Sequence, residues 1–134
     1  IGPCHACDYC KEINIGECIQ RDDMAPLYKD IRECDTIAIF SPVYWWQVSA
    51  QAKLFIDRLY ALQKEDLEGK KLVVVVNGEE KDGDKEYQVL NSAFLMMADY
   101  LKMDLRFLGL GTDGEESWKD KEKWVEEFLQ STLN

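Results

Sequence analysis

At residues 71–78 the chain reads KLVVVVNG, and this stretch decides the fold. Its five successive apolar residues predict a strand buried on both faces, as in the centre of a parallel sheet. Asn77 and Gly78 then turn the chain out of the strand. Two further short apolar runs, Thr36 to Phe40 and Leu105 to Leu110, predict two more buried strands.

Segments with helical periodicity alternate with these strands. Asp22 and Asp23 can cap a first helix, Ser49 can cap a second, and Ser117 begins the last. The third helix follows a polar loop that runs through Gly83. The apolar faces of the four helices are Met24, Leu27, Tyr28 and Ile31; Ala52, Phe55, Ile56, Leu59 and Tyr60; Tyr87, Leu90, Phe94, Met97 and Leu101; and Trp124, Val125, Phe128 and Leu129. The β-α-β-α-β-α order implies an α/β fold with a doubly wound parallel sheet.

Ligands of such sheets bind outside the carboxyl ends of the strands, which are predicted here at 41–47, 77–83 and 109–114. Three strands are few for four helices, and the chain opens at Ile1 with its cysteine-rich loop already in progress. We therefore expect a strand-helix-strand unit of about 30 residues or more to precede Ile1. No glycine-rich phosphate loop occurs in the sequence, so a phosphate anchor is expected in that preceding unit.

The composition is that of one globular domain, residues 1–134, with 46% hydrophobic and 31% charged residues. The longest apolar run, Leu72 to Val76, is too short to cross a bilayer, and no signal segment opens the chain. We therefore expect a cytoplasmic protein. The net charge of -10 argues against a nucleic-acid partner, because binding to a phosphate backbone requires a basic surface.

Four cysteines near the start of the chain indicate a metal or redox function. They follow the spacing C-x2-C-x2-C-x7-C: Cys4, Cys7, Cys10 and Cys18. Four thiolates are the full ligand set of a 4Fe-4S cluster or of a structural zinc, in which His5 could replace one of them. The remaining interpretation is that the thiols are unligated or incidentally paired. Cys34 lies apart and is interpreted as a small buried apolar residue.

Aromatic residues follow the first predicted strand, which Ser41 and Pro42 are expected to end. In the loop from Val43 to Val48, Tyr44, Trp45 and Trp46 offer flat faces to an aromatic heterocycle. They could equally cover the end of the sheet or lie in a subunit interface.

Polar residues after the second strand are expected to form the other side of the same pocket: Asn77, Gly78 and Glu79. The acidic stretch of Glu79, Glu80, Asp82 and Asp84 is interpreted as a solvated loop. Lys53, Asp57 and Arg58 lie on the second helix at a spacing typical of a surface ion pair or a subunit contact.

Several motifs run in a familiar order through residues 3 to about 62. They are Pro3-Cys4-x-x-Cys7-x-x-Cys10, Cys18, Asp22-Asp23-Met24, Ser41-Pro42-Val43-Tyr44-Trp45, Ser49-Ala50-Gln51-x-Lys53 and Asp57-Arg58. In these motifs the chain resembles the flavodoxin-like NAD(P)H-dependent FMN reductases, and within them most closely the iron-sulfur flavoproteins. The resemblance implies a five-stranded sheet of order 2-1-3-4-5, in which the strands present are the third to fifth.

The same resemblance implies that FMN binds at the switch point of the sheet, with its ring against the backbone of residues 42–45 and its phosphate loop upstream of Ile1. The expected cofactor-binding residues are Ser41, Pro42, Val43, Tyr44, Trp45, Asn77, Gly78 and Glu79. NAD(P)H would supply the electrons, and a quinone, a free flavin or a 4Fe-4S cluster on the four cysteines would accept them. No catalytic acid or base is assigned, since the flavin carries the chemistry.

Two other functions remain open. A small electron carrier of the flavodoxin type would suit the acidic charge, because such carriers dock on basic partners. A non-enzymatic binding module would use its cysteine loop structurally. The Trp45-Trp46 pair and the cysteine loop also predict a homodimer or homotetramer, in which the loop of one subunit covers the flavin of its neighbour.

Overall fold

The structure is a computed structural model that describes residues 1–113 and 118–133, so the helix start predicted at Ser117 lies outside the described residues. The helices are α1 (Tyr9–Glu12), α2 (Met24–Glu33), α3 (Ala50–Arg58), α4 (Lys85–Leu101) and α5 (Trp118–Leu133), with short 3-10 turns at Leu59–Ala61 and Lys64–Asp66. The strands are β1 (Thr36–Tyr44), β2 (Gln47–Val48), β3 (Lys71–Gly78) and β4 (Asp104–Gly111). No helix in the described part of the chain is both long and apolar enough to span a bilayer.

The sheet has the strand order β2-β1-β3-β4, with β1, β3 and β4 parallel. Ile39, Val74 and Phe107 are register partners across the three parallel strands. The predicted α/β fold, with these three strands adjacent and parallel, is confirmed. β2 is an additional short strand that pairs with the end of β1 in antiparallel fashion.

The central strand β3 is buried on both faces. Residues 72–76 are each at most 7% exposed, as the run of apolar residues predicts. Side chains on one face, such as Val74, join a core cluster with Tyr28 of α2 and Phe94 of α4. Helix α5 contacts β4, and the Lys71 ammonium on β3 donates a hydrogen bond to the Thr132 carbonyl oxygen of α5 at 2.6 Å. The apolar β3 therefore organises the helices around the sheet.

The first strand is longer than its sequence predicts. Ser41 and Pro42 do not end it, because β1 continues to Tyr44 and then reverses into β2. Proline is tolerated here because β1 is paired along only one side over most of its length. An N–H group that is missing on the unpaired side breaks no ladder. The predicted loop from Val43 to Val48 is thus a tight β-hairpin.

Helix α3 is shorter than predicted and the last strand is longer. Leu59 and Tyr60, expected on the apolar face of α3, belong to a 3-10 turn in which Leu59 is buried and Tyr60 is exposed. Gly111, expected in a loop, is the last residue of β4. A Cβ on Gly111 would lie 2.0 Å from the Glu80 carbonyl oxygen, so glycine allows the loop after β3 to pack directly on β4.

We expect Gly111→Ala to lower the free energy of unfolding by about 2 kcal/mol. The added methyl group would meet backbone atoms of residues 80–82, which cannot swing aside as a flexible side chain can. Urea unfolding followed by circular dichroism measures the change. Thr112→Ala, at the exposed neighbouring position, is the control and should change stability by less than about 0.5 kcal/mol. A Gly111→Ala protein as stable as the wild type would contradict this close approach.

Candidate functional site

The carboxyl ends of the parallel strands meet at one edge of the sheet. Pro42 of β1 is the register partner of Asn77 of β3, and Gly78 of β3 is the register partner of Gly111 of β4. The two predicted sides of the pocket therefore lie next to each other. Among the predicted residues, Ser41 and Gly78 are buried, Pro42 and Val43 are half-buried, and Tyr44, Trp45, Asn77 and Glu79 are exposed.

Two tryptophans form the turn of the hairpin that projects from this edge. Trp45 and Trp46 both have positive φ angles, 52° and 60°, as a two-residue turn of the left-handed kind requires. Bulky residues rarely adopt this conformation. Their indole rings stand edge to face with centroids 5.1 Å apart, and Trp45 is 88% exposed. Exposed aromatic rings on a strained turn indicate a binding role.

The hydroxyl group of Ser41 fixes the hairpin to α3. It accepts a hydrogen bond from the Ser49 backbone N–H at 2.8 Å and donates one to the Pro42 carbonyl oxygen at 2.8 Å. Ser49 in turn caps α3 by accepting a hydrogen bond from the Ala52 N–H at 3.3 Å. Because the Ser41 side chain already has these partners, Ser41 would contact a ligand through its backbone.

The acidic loop after β3 is only partly the solvated loop predicted from the sequence. Glu79, Glu80 and Asp82 are exposed as predicted, but Asp82 also has a partner that the sequence did not indicate, because its carboxylate Oδ2 lies 3.1 Å from the ammonium of the buried Lys121. Asp82 Oδ1 also accepts a hydrogen bond from the Gly111 N–H at 2.6 Å. Lys121 donates a further hydrogen bond to the Gly111 carbonyl oxygen. This network holds the loop against the end of β4.

The strand ends fit one half of an FMN molecule. Aromatic side chains and exposed backbone suit the flat isoalloxazine ring. The phosphate end requires positive charge or clustered N–H groups, whereas the depression beside the ends of β3 and β4 is lined by Glu79, Glu80, Thr112 and Asp113. The residues at this edge therefore have the chemistry that suits the ring, and the described residues that line that depression include no basic side chain for the phosphate.

The four cysteines of the amino-terminal loop differ in burial. Cys4 and Cys7 are exposed, Cys10 is buried in α1, and Cys18 is half-buried. Burial raises the pKa of the Cys10 thiol, and the nearby Cys18 and Cys4 raise it further against the lowering effect of Lys11. The described residues, which include all four cysteines, contain no group of three or more His, Cys, Asp or Glu side chains already placed to hold a metal ion.

The donor chemistry of this loop nevertheless fits an iron-sulfur cluster, since four thiols lie in fifteen residues and Cys18 and Cys4 are near enough to raise the pKa of the Cys10 thiol. Ala6 and Asp8, between the first three cysteines, have left-handed φ angles of 50° and 52°. These angles curl the segment tightly, in a conformation that a non-glycine residue adopts at a cost. Cys34 is half-buried, where burial was predicted, and its thiol donates to the Ile31 carbonyl oxygen at 3.3 Å.

Tyr60 and Lys11 attach the cysteine loop to the segment after α3. The Tyr60 hydroxyl donates a hydrogen bond to Asp8 Oδ1 at 3.0 Å. The Lys11 ammonium donates to the Leu62 carbonyl oxygen at 2.8 Å and lies 4.9 Å from the centroid of the Tyr60 ring. The loop is therefore packed on the domain rather than extended from it.

An ion pair between the buried Arg58 and the half-buried Asp22 fixes the start of the same loop. Arg58, expected at the surface, is 1% exposed, and its guanidinium donates to the two oxygens of Asp22 at 2.8 and 3.2 Å. Arg58 also donates to the Gly2 carbonyl oxygen at 3.0 Å, and Asp22 accepts the Gly2 N–H at 2.7 Å. Hydrogen bonds from Arg58 hold the pKa of the Asp22 carboxyl group well below its usual range.

The predicted surface position of Arg58 is therefore wrong, and the predicted capping by Asp22 and Asp23 is confirmed for Asp22 only. Asp22 does assist the start of α2, because its Oδ1 accepts the Met24 N–H at 3.1 Å, but it is chiefly the partner of a buried cation. Asp23 occupies the N-cap position without a capping hydrogen bond from its side chain. Lys53 and Asp57 form the exposed ion pair that their spacing predicts.

Comparison with known proteins shows the family of the chain. A family model described as NADPH-dependent FMN reductase matches residues 1–105. Two proteins of Archaeoglobus fulgidus named iron-sulfur flavoprotein are similar to the chain: one is 46% identical over 44% of this chain and 26% of its own length, and the other is 36% identical over 66% of this chain and 46% of its own length.

A solved structure of general stress protein 14 from Treponema denticola, determined in complex with FMN, has the same fold. It superposes with a TM-score of 0.60 at 20% identity, over 84% of this chain and 71% of that one. The chain spans less than half the length of the two iron-sulfur flavoproteins that it matches.

We expect Asp22→Asn to lower the free energy of unfolding by about 3 kcal/mol, because it leaves the buried Arg58 charge without its counter-ion. Asp23→Asn is the matched control: Asp23 is exposed and makes no capping bond, so this substitution should leave the free energy of unfolding almost unchanged. Denaturant unfolding of both variants at neutral pH gives the comparison. Equal stabilities would contradict a structural role for the ion pair.

The same pair predicts a pH dependence. Because the folded-state pKa of Asp22 is depressed, its contribution is complete above the unfolded pKa of about 4 and is lost as the pH falls below that value. The stability difference between the wild type and Asp22→Asn should therefore shrink on acidification below about pH 4. A difference that stays constant with pH would contradict the assignment.

Proposed function

The chain belongs to the NADPH-dependent FMN reductase family, and from this premise we propose that the protein is an FMN-dependent oxidoreductase. It would take electrons from NAD(P)H and pass them to a quinone, a free flavin or an iron-sulfur centre. The observation that carries the proposal is the exposed Tyr44–Trp46 hairpin at the edge where the parallel strands end. This is the edge at which α/β sheets bind their ligands.

In this proposal FMN supplies the hydride and electron chemistry, and the chain positions the ring. The backbone of residues 42–45 lies on one side, and Gly78 and Glu79 on the other. Tyr44 and Trp45 cover the ring and exclude water from it. The exposed His5 belongs to the cysteine loop, so it is given no proton-transfer role at the strand ends.

The phosphate of FMN requires a further segment. Within the described residues, β1 pairs with β2 only at Val43 and Tyr44, so most of β1 has a partner strand on one side only. Phe40 is 58% exposed on β1, although strands of doubly wound sheets are usually covered on both faces. We propose that another parallel strand pairs with this edge and carries the phosphate loop, which gives the sheet order 2-1-3-4-5.

We further propose that Cys4, Cys7, Cys10 and Cys18 are the ligands of a 4Fe-4S cluster. The names of the two relatives from Archaeoglobus fulgidus and the compact packing of the loop support this assignment. Zinc bound by the same four thiolates is the alternative to the cluster. A cytoplasmic location, where thiols remain reduced, stays a prediction.

A homodimer or homotetramer is part of the proposal. Helix α4 carries no charged residue between Tyr87 and Ala98, and charge depletion is typical of interface cores. Val89 and Met96 are exposed on this uncharged helix. Because the chain has a net charge of -10, an uncharged face is where two copies would repel each other least.

A flavodoxin-type electron carrier is the second candidate function. The acidic side chains Glu79, Glu80 and Asp113 lie beside the strand ends and would suit docking on a basic partner. A reductase oxidises NAD(P)H in the presence of an acceptor, whereas a carrier does not. The test is to purify the full-length protein, record its flavin spectrum and measure NAD(P)H oxidation with a quinone. A protein that binds FMN but does not oxidise NAD(P)H would favour the carrier.

We expect Trp45→Gly to weaken FMN binding about tenfold, because the exposed indole covers the ring. The variant should be as stable as the wild type or more stable, since glycine adopts the positive φ angle without strain. Fluorescence titration with FMN and thermal unfolding measure the two effects. Tyr100→Ala removes an exposed aromatic ring at the other end of α4, away from the strand ends, and should leave FMN binding unchanged. Unaltered affinity in Trp45→Gly would contradict the ring site.

The anaerobically purified full-length protein should contain about four irons and an equal amount of acid-labile sulfide per chain. Replacing any one of the four proposed ligands by serine should reduce the iron content sharply. Cys34→Ser is the matched control and should retain all the iron, because Cys34 bonds within α2. Bound zinc, or no metal at all in the wild type, would contradict the cluster.

A further inference from the structure

We propose that Gln20 is a positioning residue that holds the sulfur of Cys18 against the first segment of the cysteine loop and raises the reduction potential of the iron-sulfur centre. The inference rests on the proposed function, in that it takes the four thiols as cluster ligands. It goes further because it assigns a role to a side chain that is not a ligand.

Gln20 directs two N–H donors at one sulfur atom. Its backbone nitrogen lies 3.5 Å from Cys18 Sγ, and its side-chain Nε2 lies 4.0 Å from the same atom. The same Nε2 donates to the Pro3 carbonyl oxygen at 2.9 Å. An amide group has two protons, so one can serve the carbonyl oxygen and the other the sulfur. Gln20 thus joins Cys18 to the residue that precedes Cys4.

The ion pair of Arg58 and Asp22 fixes the amino-terminal segment to which the Gln20 side chain is hydrogen-bonded. Both backbone groups of Gly2 are bound by that pair. A Cβ on Gly2 would lie 3.0 Å from Gln20 Oε1, so the amide of Gln20 lies directly over the Gly2 backbone. The segment on which the Gln20 amide lies is therefore held in place by the charged pair.

Among the four proposed ligands, Cys18 differs from the others in the hydrogen bonds to its sulfur. Within the described residues, no hydrogen bond reaches the sulfur atoms of Cys4, Cys7 or Cys10, whereas that of Cys18 accepts both donors of Gln20. The buried Tyr28 also lies against Cys18, in the same depression, and its hydroxyl donates to the Arg58 carbonyl oxygen at 3.1 Å.

N–H groups directed at a ligand sulfur stabilise negative charge on it. Reduction of an iron-sulfur centre adds one electron, so such donors stabilise the reduced form more than the oxidised form and raise the reduction potential. Removing the side-chain donor should lower the potential. A carboxylate in its place should lower it further, because it adds a negative charge beside the same sulfur.

The test compares the full-length wild type with Gln20→Leu and Gln20→Glu, each purified anaerobically with FMN and iron. The midpoint potential of the iron-sulfur signal is measured by redox titration followed by electron paramagnetic resonance, and iron is counted per chain. We expect the potential to fall from the wild type to Gln20→Leu and again to Gln20→Glu. Gln88→Leu is the matched control: Gln88 also donates its amide to a backbone carbonyl, that of Gly83, at 2.9 Å, and makes no hydrogen bond to a sulfur atom in the described structure.

The possible results separate this inference from the proposal on which it rests. A wild type without iron would overturn both the cluster and the role of Gln20. If the wild type contains four irons and both Gln20 variants have the same potential and iron content as the wild type, the role of Gln20 alone is overturned. If one variant loses iron while its flavin spectrum and circular dichroism are retained, the positioning role is supported. The tuning role is then tested by comparing the midpoint potential of the other variant with that of the wild type. If both lose iron in this way, the positioning role is supported and the tuning role is overturned.

Discussion

β3 must bury both of its faces, because residues 72–76 are apolar without interruption and at most 7% exposed. A strand of this kind requires partners on both edges and helices on both faces. With parallel neighbours at β1 and β4, the chain must cross back after each strand, so all three strands end at the same edge. Pro42, Gly78 and Gly111 come together for that reason, and the candidate ring site is a consequence of how the central strand is buried.

Strained backbone and charged side chains are found together at this edge of the sheet, whereas the core around β3 is apolar. Trp45 and Trp46 occupy left-handed conformations, and Asp82 is held by Lys121 through contacts that also fix the end of β4. The geometry is therefore imposed by the surroundings rather than by local preference. Such imposed geometry is typical of binding sites, where side chains must be held ready before the ligand arrives.

The sequence predicted the elements whose formation is local. The apolar run of 72–76 and the helical periodicity of α4 depend on neighbouring residues, and both occur where they were expected. The hairpin was missed because its turn consists of two tryptophans in place of the usual Asn-Gly signal. The buried Arg58 was missed because its partner Asp22 lies 36 residues away in sequence. A charged residue on a helix predicts exposure until its partner is known.

Helix α3 connects the two candidate sites. Its first turn is capped by Ser49, whose backbone is bound by Ser41 in the hairpin, and its last residue is Arg58, which holds Gly2 at the start of the cysteine loop. Nine helical residues span about 13 Å. A rigid helix of this length, fixed at both ends by polar contacts, sets the separation between the hairpin and the loop within one subunit. If electrons pass between a flavin and a cluster, their distance is then determined by packing rather than by a flexible linker.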